Sequence, residues 1–108
     1  MKIPRSIRIG GIEFSVNYAE NLRNGNDLCY GSILPDASEI WLSSTDGTEH
    51  QRQCVTLWHE ILHGIREQNG LVIENEEAVV EMFSRGIYHV LQDNGGRFFD
   101  LVVTDRAP

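Results

Sequence analysis

The chain has 108 residues, of which 41% are hydrophobic and 23% charged, and a formal net charge of -7 at pH 7. That length suits one domain spanning 1–108 with a single core, and is too short for a second. Nine Lys and Arg against sixteen Asp and Glu leave no clustered basic surface of the kind that phosphate contacts need, so nucleic acid is excluded as an expected partner.

No run of about 18 apolar residues and no signal-like hydrophobic segment occurs, so no membrane partner is expected and the default expectation is a cytoplasmic protein. The two cysteines, Cys29 and Cys54, do not make a disulfide framework and read as small buried hydrophobes.

The amino-terminal half reads as strands. Ile7-Arg8-Ile9 leads into Gly10-Gly11, which suits a tight hairpin turn, and Ile12 to Tyr18 then alternates apolar and polar as a half-buried strand does. Leu28 to Leu34 reads as a third strand, Pro35 to Ser38 as a turn and Glu39 to Ser43 as a fourth strand. The expected fold class is therefore α+β, a small antiparallel sheet followed by two helices.

The first helix carries Cys54, Val55, Trp58, Ile61, Leu62 and Ile65 at helical spacing, with Thr48 and Gln51 as a capping box and Gly70 as its stop. On it lies His59-Glu60-Ile61-Leu62-His63, a His-Glu-x-x-His motif. Residues at i and i+4 share a helix face, so both imidazoles can grip one ion, for which Zn2+ is the expected choice. Glu60 is turned about 100° from His59, too far round to be the natural third ligand, but able to reach a water bound at the open position. Zinc lowers the pKa of such a water to about 7, and Glu60 would act as its general base.

Asn75 to Asn94 reads as a second helix with Asn75 as N-cap, an apolar face of Val79, Val80, Phe83, Ile87, Val90 and Leu91, and Gly95-Gly96 as its end. Four acidic residues crowd its start, Glu74, Glu76, Glu77 and Glu81. Some of them are explained by the helix dipole alone. By phase, Glu77 and Glu81 share a face with Ser84 and Tyr88, which suggests Glu77 as metal ligand and Glu81 as the carboxylate that holds the far nitrogen of a ligating histidine. The reverse assignment stays open, as does a ligand role for Glu74 or Glu76.

These residues resemble a small gluzincin-type zinc metallopeptidase, in which two His of His-Glu-x-x-His and a Glu from a following helix bind the metal. Asn75-Glu76-Glu77-Ala78-Val79-Val80-Glu81 is similar to the Asn-Glu-x-x-x-Asp run of thermolysin-type members, with one extra Glu after Asn75. Glu77-Ala78 also matches the Glu-Ala pair of the ImmA/IrrE-like peptidases of phages and mobile elements. The resemblance implies a zincin-like fold, hydrolysis of a peptide or protein substrate, and pairing of that substrate with an edge strand beside the cleft, either Leu28 to Leu34 or Glu39 to Ser43. A deformylase-like site would instead take Cys29 as third ligand, but Leu28-Cys29-Tyr30 lacks the glycine-rich flanks of that family.

Tyr88 and Tyr30 are candidate oxyanion donors. His50 and His89 carry no assigned role, and residues 97–108 form a tail with Phe98, Phe99 and Leu101-Val102-Val103 that would pack, lie over the cleft or meet a partner. Two functions compete, a zinc-dependent peptidase and a zinc-stabilised binding or regulatory protein, and Glu60 favours the first because a purely structural site has no use for a carboxylate aimed at water.

Overall fold

The computed structural model describes residues 1–45 and 47–97, so the tail beyond Arg97 lies outside the described residues. β1 (Ser6–Ile9) and β2 (Ile12–Ala19) form the expected antiparallel hairpin, turned by Gly10 and Gly11 at φ 56° and 83°. Two successive positive φ values fit a primed turn, which glycine adopts without a Cβ clash. In β2 the alternation is realised, with Phe14 and Val16 buried between more exposed Glu13, Ser15 and Asn17.

The segment from Leu28 to Leu34 is not one strand. β3 (Arg23–Asn24) and β4 (Asp27–Leu28) make a separate two-residue ribbon, and only β5 (Gly31–Leu34) joins the main sheet. The Cys29 N–H donates to the Leu22 carbonyl while the Tyr30 carbonyl accepts from the Ser43 N–H, so the two residues at the break are tied to different sheets. Pro35–Ala37 forms a 3-10 turn, and β6 (Glu39–Ser43) follows with the expected bounds.

The sheet order is β1-β2-β6-β5. β5 is antiparallel to β6, but β6 runs parallel to β2, from Ser15 opposite Glu39 to Ala19 opposite Ser43. The sheet is thus mixed, which corrects the expected antiparallel one. Its physical origin is that Ile40 and Leu42, both 0% exposed, place β6 inside the sheet between the hairpin and β5. β5 begins at the end of the sheet where β2 stops, Gly31 opposite Leu42 and Ala19 opposite Ser43, and the short turn at Pro35–Ala37 then returns β6 antiparallel to β5 and so parallel to β2. Of the two strands expected beside the cleft, β5 lies at an edge of the sheet and β6 does not.

α1 (His50–Asn69) covers one face of the sheet. Leu57 and Ile61 join Ile9, Phe14, Val16, Ile40 and Leu42 in the core cluster, with Ile33 and Trp58 at its margin. A Cβ on Gly64 would lie 2.9 Å from Ile33 Cδ1 and 3.3 Å from Ile9 Cδ1, so glycine permits the close approach of helix to sheet. The buried line runs through Cys54, Leu57 and Ile61, and Ile65, expected on the stripe, is exposed. The Thr48–Gln51 capping box does not form. Glu49 is the N-cap without a side-chain bond, and the Thr48 N–H donates instead to the Thr45 carbonyl. Gly70 ends the helix in the left-handed conformation, as expected.

α2 (Glu76–Asn94) packs on α1, giving the layer order sheet, α1, α2. Asn75 occupies the N-cap position with φ 57° and makes no side-chain cap bond, so it serves by tolerating the left-handed conformation. The buried ridge of α2 is Val80, Ser84 and Tyr88, whereas Phe83 and Val90 of the expected apolar face are exposed. α1 offers α2 only one surface, and docking through the Ser84 face turns Glu77 and Glu81 toward α1. No helix among the described residues is long and apolar enough to cross a membrane.

Candidate metal centre

His59 and His63 lie one turn apart on α1, facing the first turns of α2. Their Nε2 atoms are 3.1 Å from each other, and the Glu77 carboxylate closes a triangle with them, Oε2 at 3.2 Å from His59 Nε2 and Oε1 at 2.8 Å from His63 Nε2. A tetrahedral zinc with bonds of roughly 2.0–2.1 Å holds its ligand atoms about 3.3 Å apart. The three side chains are therefore spaced close to one face of such a tetrahedron. One ligand atom from each lies within 4.8 Å of the others, and this His59, His63 and Glu77 group can hold a metal ion.

The remaining imidazole nitrogens are also held. His59 Nδ1 is 3.0 Å from Glu81 Oε2, and the other Glu81 oxygen accepts from Arg85 Nε at 2.7 Å. His63 Nδ1 is 2.6 Å from Glu76 Oε2, and Arg66 Nε lies 3.0 Å from Glu76 Oε1. Each histidine thus has Nε2 directed to the common point and Nδ1 directed to a carboxylate that is itself paired with an arginine. Such contacts select the tautomer that donates from Nδ1 and leaves Nε2 free for a metal. His63 and the Arg66 guanidinium hold the Glu76 carboxyl below its usual range, and Arg85 with His59 does the same for Glu81, against the opposing effect of burial.

Glu60 stands apart from this set. It is 7% exposed, and burial pushes its carboxyl above the usual range; the nearby His59 and His63 pull the other way, and Glu77 adds to the rise. Its environment depends on Gly31 at the start of β5. A Cβ there would fall 2.5 Å from Thr56 Cγ2 and 3.3 Å from Glu60 Oε2, so only glycine lets the edge strand pass this close to the motif.

A cleft of about 740 Å³ opens over these groups, bounded by α1, the start of α2 and the chain from Cys29 to Pro35. His59, Glu60, His63, Glu77 and Glu81 all line it. Cys29 also lines it but lies outside the metal-capable cluster. Tyr88 is 5% exposed on α2 and is not among the cleft-lining residues, so the structure does not bring this expected oxyanion donor to the site. Tyr30 does line the cleft.

The pairing of His63 with Glu76 was not anticipated. At the first position of α2 the flexible Glu76 side chain reaches across to the second histidine of α1. A usable signal did exist for Arg85, which follows Glu81 by four residues and so faces it on the helix surface. No protein-family model, curated protein or solved structure matches the chain.

Proposed function

We propose that the chain is a zinc-dependent peptidase, zincin-like and similar to the small gluzincins of the ImmA/IrrE kind, acting on a cytoplasmic peptide or protein. The observation that carries this reading is a division of labour in one cleft. His59, His63 and Glu77 converge as three donors, while Glu60 is buried beside them without entering the set.

Bound zinc would supply Lewis acidity, polarising the scissile carbonyl and acidifying water. Glu60 takes the proton of the attacking water and returns it to the leaving amine. Burial raises its pKa, which is the direction that favours a group that must both accept and donate the proton. Glu81 and Glu76 hold the imidazoles in orientation. Among the described residues β5 pairs only with β6, and its other edge can bind an extended chain through backbone hydrogen bonds.

The test is metal analysis together with a screen for cleaved proteins, comparing wild type with Glu60→Gln. The expected result is equal zinc in both and cleavage by the wild type alone. Loss of zinc in Glu60→Gln would make Glu60 a ligand and overturn the mechanism. Zinc in both with no cleavage by either supports the second reading, a zinc-stabilised binding or regulatory protein. That reading draws on the docking of α2 through the metal donors themselves, which would make metal binding part of the folding energy.

A further inference from the structure

Three arginines face the cleft or its rim, and they differ in how they are neutralised. Arg66 pairs with Glu67 and Glu76, and Arg85 pairs with Glu81. Arg52 lines the cleft and, among the described residues, has no carboxylate within ion-pair distance. Its guanidinium instead lies over the Tyr30 ring, 4.6 Å from the centroid. Stacking of this kind fixes the plane of a guanidinium while leaving its N–H edge open to a planar anion.

The position of Arg52 relative to the metal donors follows from helix geometry. Seven residues separate it from His59, which is nearly two full turns, so both project from the same face of α1 about 10 Å apart along the axis. An extended peptide advances about 3.3 Å per residue, so about three residues cover that separation. β5 runs alongside the same stretch, with Gly31 against Thr56 and Glu60 and with Ile33 against Gly64. A chain laid on the free edge of β5 therefore passes His59 and Glu60 and then meets Tyr30 and Arg52. Beyond Arg52 a smaller cavity of about 190 Å³ continues, with Arg85 and His89 in its wall and, among the described residues, Glu49 as its one carboxylate.

We propose that Arg52, held by Tyr30, forms a recognition subsite for an acidic side chain of the substrate, two to three residues from the scissile bond on the side toward the amino-terminal end of α1. This rests on the peptidase reading for the location of the scissile bond, but the subsite itself is a statement about binding. The overall charge of -7 does not oppose it decisively, because charges more than about 8–10 Å away across solvent are screened at physiological salt. The selectivity expected from one exposed ion pair is about fivefold for Asp or Glu over Asn or Gln.

The probe is an array of peptides in which each position in turn is Asp, Glu, Asn, Gln, Ala or Lys, offered to the zinc-loaded Glu60→Gln protein, with and without Arg52→Glu. Expected is a preference for Asp and Glu at one fixed position, which Arg52→Glu reverses to a preference for Lys; Arg52→Lys should keep the acidic preference in weaker form. An unchanged acidic preference in Arg52→Glu, no preference at any position, or no bound peptide at all would each overturn the subsite. Wild-type protein on the same array separates the two ideas. Cleavage without acidic preference removes the subsite and leaves the peptidase standing, whereas acid-selective binding with no cleavage does the reverse.

Discussion

The two faces of α1 are held by different physics. Toward the sheet, Leu57 and Ile61 pack into an apolar cluster whose central residues, Ile40 and Leu42, have no exposed surface. Toward α2, much of the contact is polar: two imidazoles meet three carboxylates within hydrogen-bonding distance, beside the ridge of Val80, Ser84 and Tyr88. The first interface draws on the hydrophobic effect and needs no ligand. The second concentrates negative charge at one point, and a divalent cation placed there would relieve it. The sheet with α1 is therefore the folding core, and the docking of α2 is the part that a metal bound at His59, His63 and Glu77 would strengthen.

The largest expected effect lies in the apolar interface. Leu42→Ala should cost about 2–5 kcal/mol by leaving a cavity at a fully buried position, a large share of the roughly 5–15 kcal/mol that stabilises an ordinary domain. Denaturant midpoints with and without zinc would measure it, and a loss under about 1 kcal/mol would mean that the core is not where the molecule is held.

Next comes His63→Ala, or removal of metal by a chelator. Both should abolish stoichiometric zinc binding and speed amide exchange in α2, while β2 and β6 keep their protection. Equal loss of protection in both regions would break the distinction between the two faces. Because zinc needs deprotonated ligands, bound metal should also fall as pH drops from 8 to about 5.

The carboxylate braces are a smaller lever. Glu76→Gln and Glu81→Gln should each weaken zinc binding by about 10–100-fold, with Glu76 the stronger of the two. It is closer to its histidine, 2.6 against 3.0 Å, and its side chain is less exposed, 24% against 40%. Competition with a chromogenic chelator would rank them, and equal or no loss would leave the ligands oriented by packing alone.

The smallest effect is on the stability of the metal-free protein. The folded-state pKa of Glu60 is raised, chiefly by burial. A carboxyl of this kind contributes its full stability below the unfolded pKa and loses it as pH rises through the folded value. Glu60→Gln lacks that loss, so the chelated variant should melt above the chelated wild type at pH 7, and the difference should vanish in acid. A difference independent of pH would show that the gain has another source.

The period-2 pattern of Ile12 to Tyr18, the glycine pair before it and the glycines after each helix were legible because they are local, each written within a few residues of the structure it produces. So was the relation of His59 to His63, since one helical turn relates them whatever the rest of the chain does. The phase of Glu77 and Glu81 on α2 was legible for the same reason, and it brought both to His59. Failures cluster where distant segments decide. Nothing near Glu39 to Ser43 encodes that it lies parallel to β2, and nothing near Leu28 to Leu34 encodes the division of that segment between two sheets. Phe83 and Val90 have the spacing of a core face, yet α1 presents too little surface to cover them.

The sequence by itself determined that His59 and His63 share one helix face, that Glu77 and Glu81 share another, and where the two helices end, because helical geometry converts spacing directly into direction. Only the tertiary structure decided that Glu76 reaches His63, that Gly31 brings the free edge of β5 against Glu60, that Tyr88 is buried away from the cleft and that Arg52 lies on Tyr30. Those contacts join residues from different elements, and their distances follow from packing that no local spacing contains.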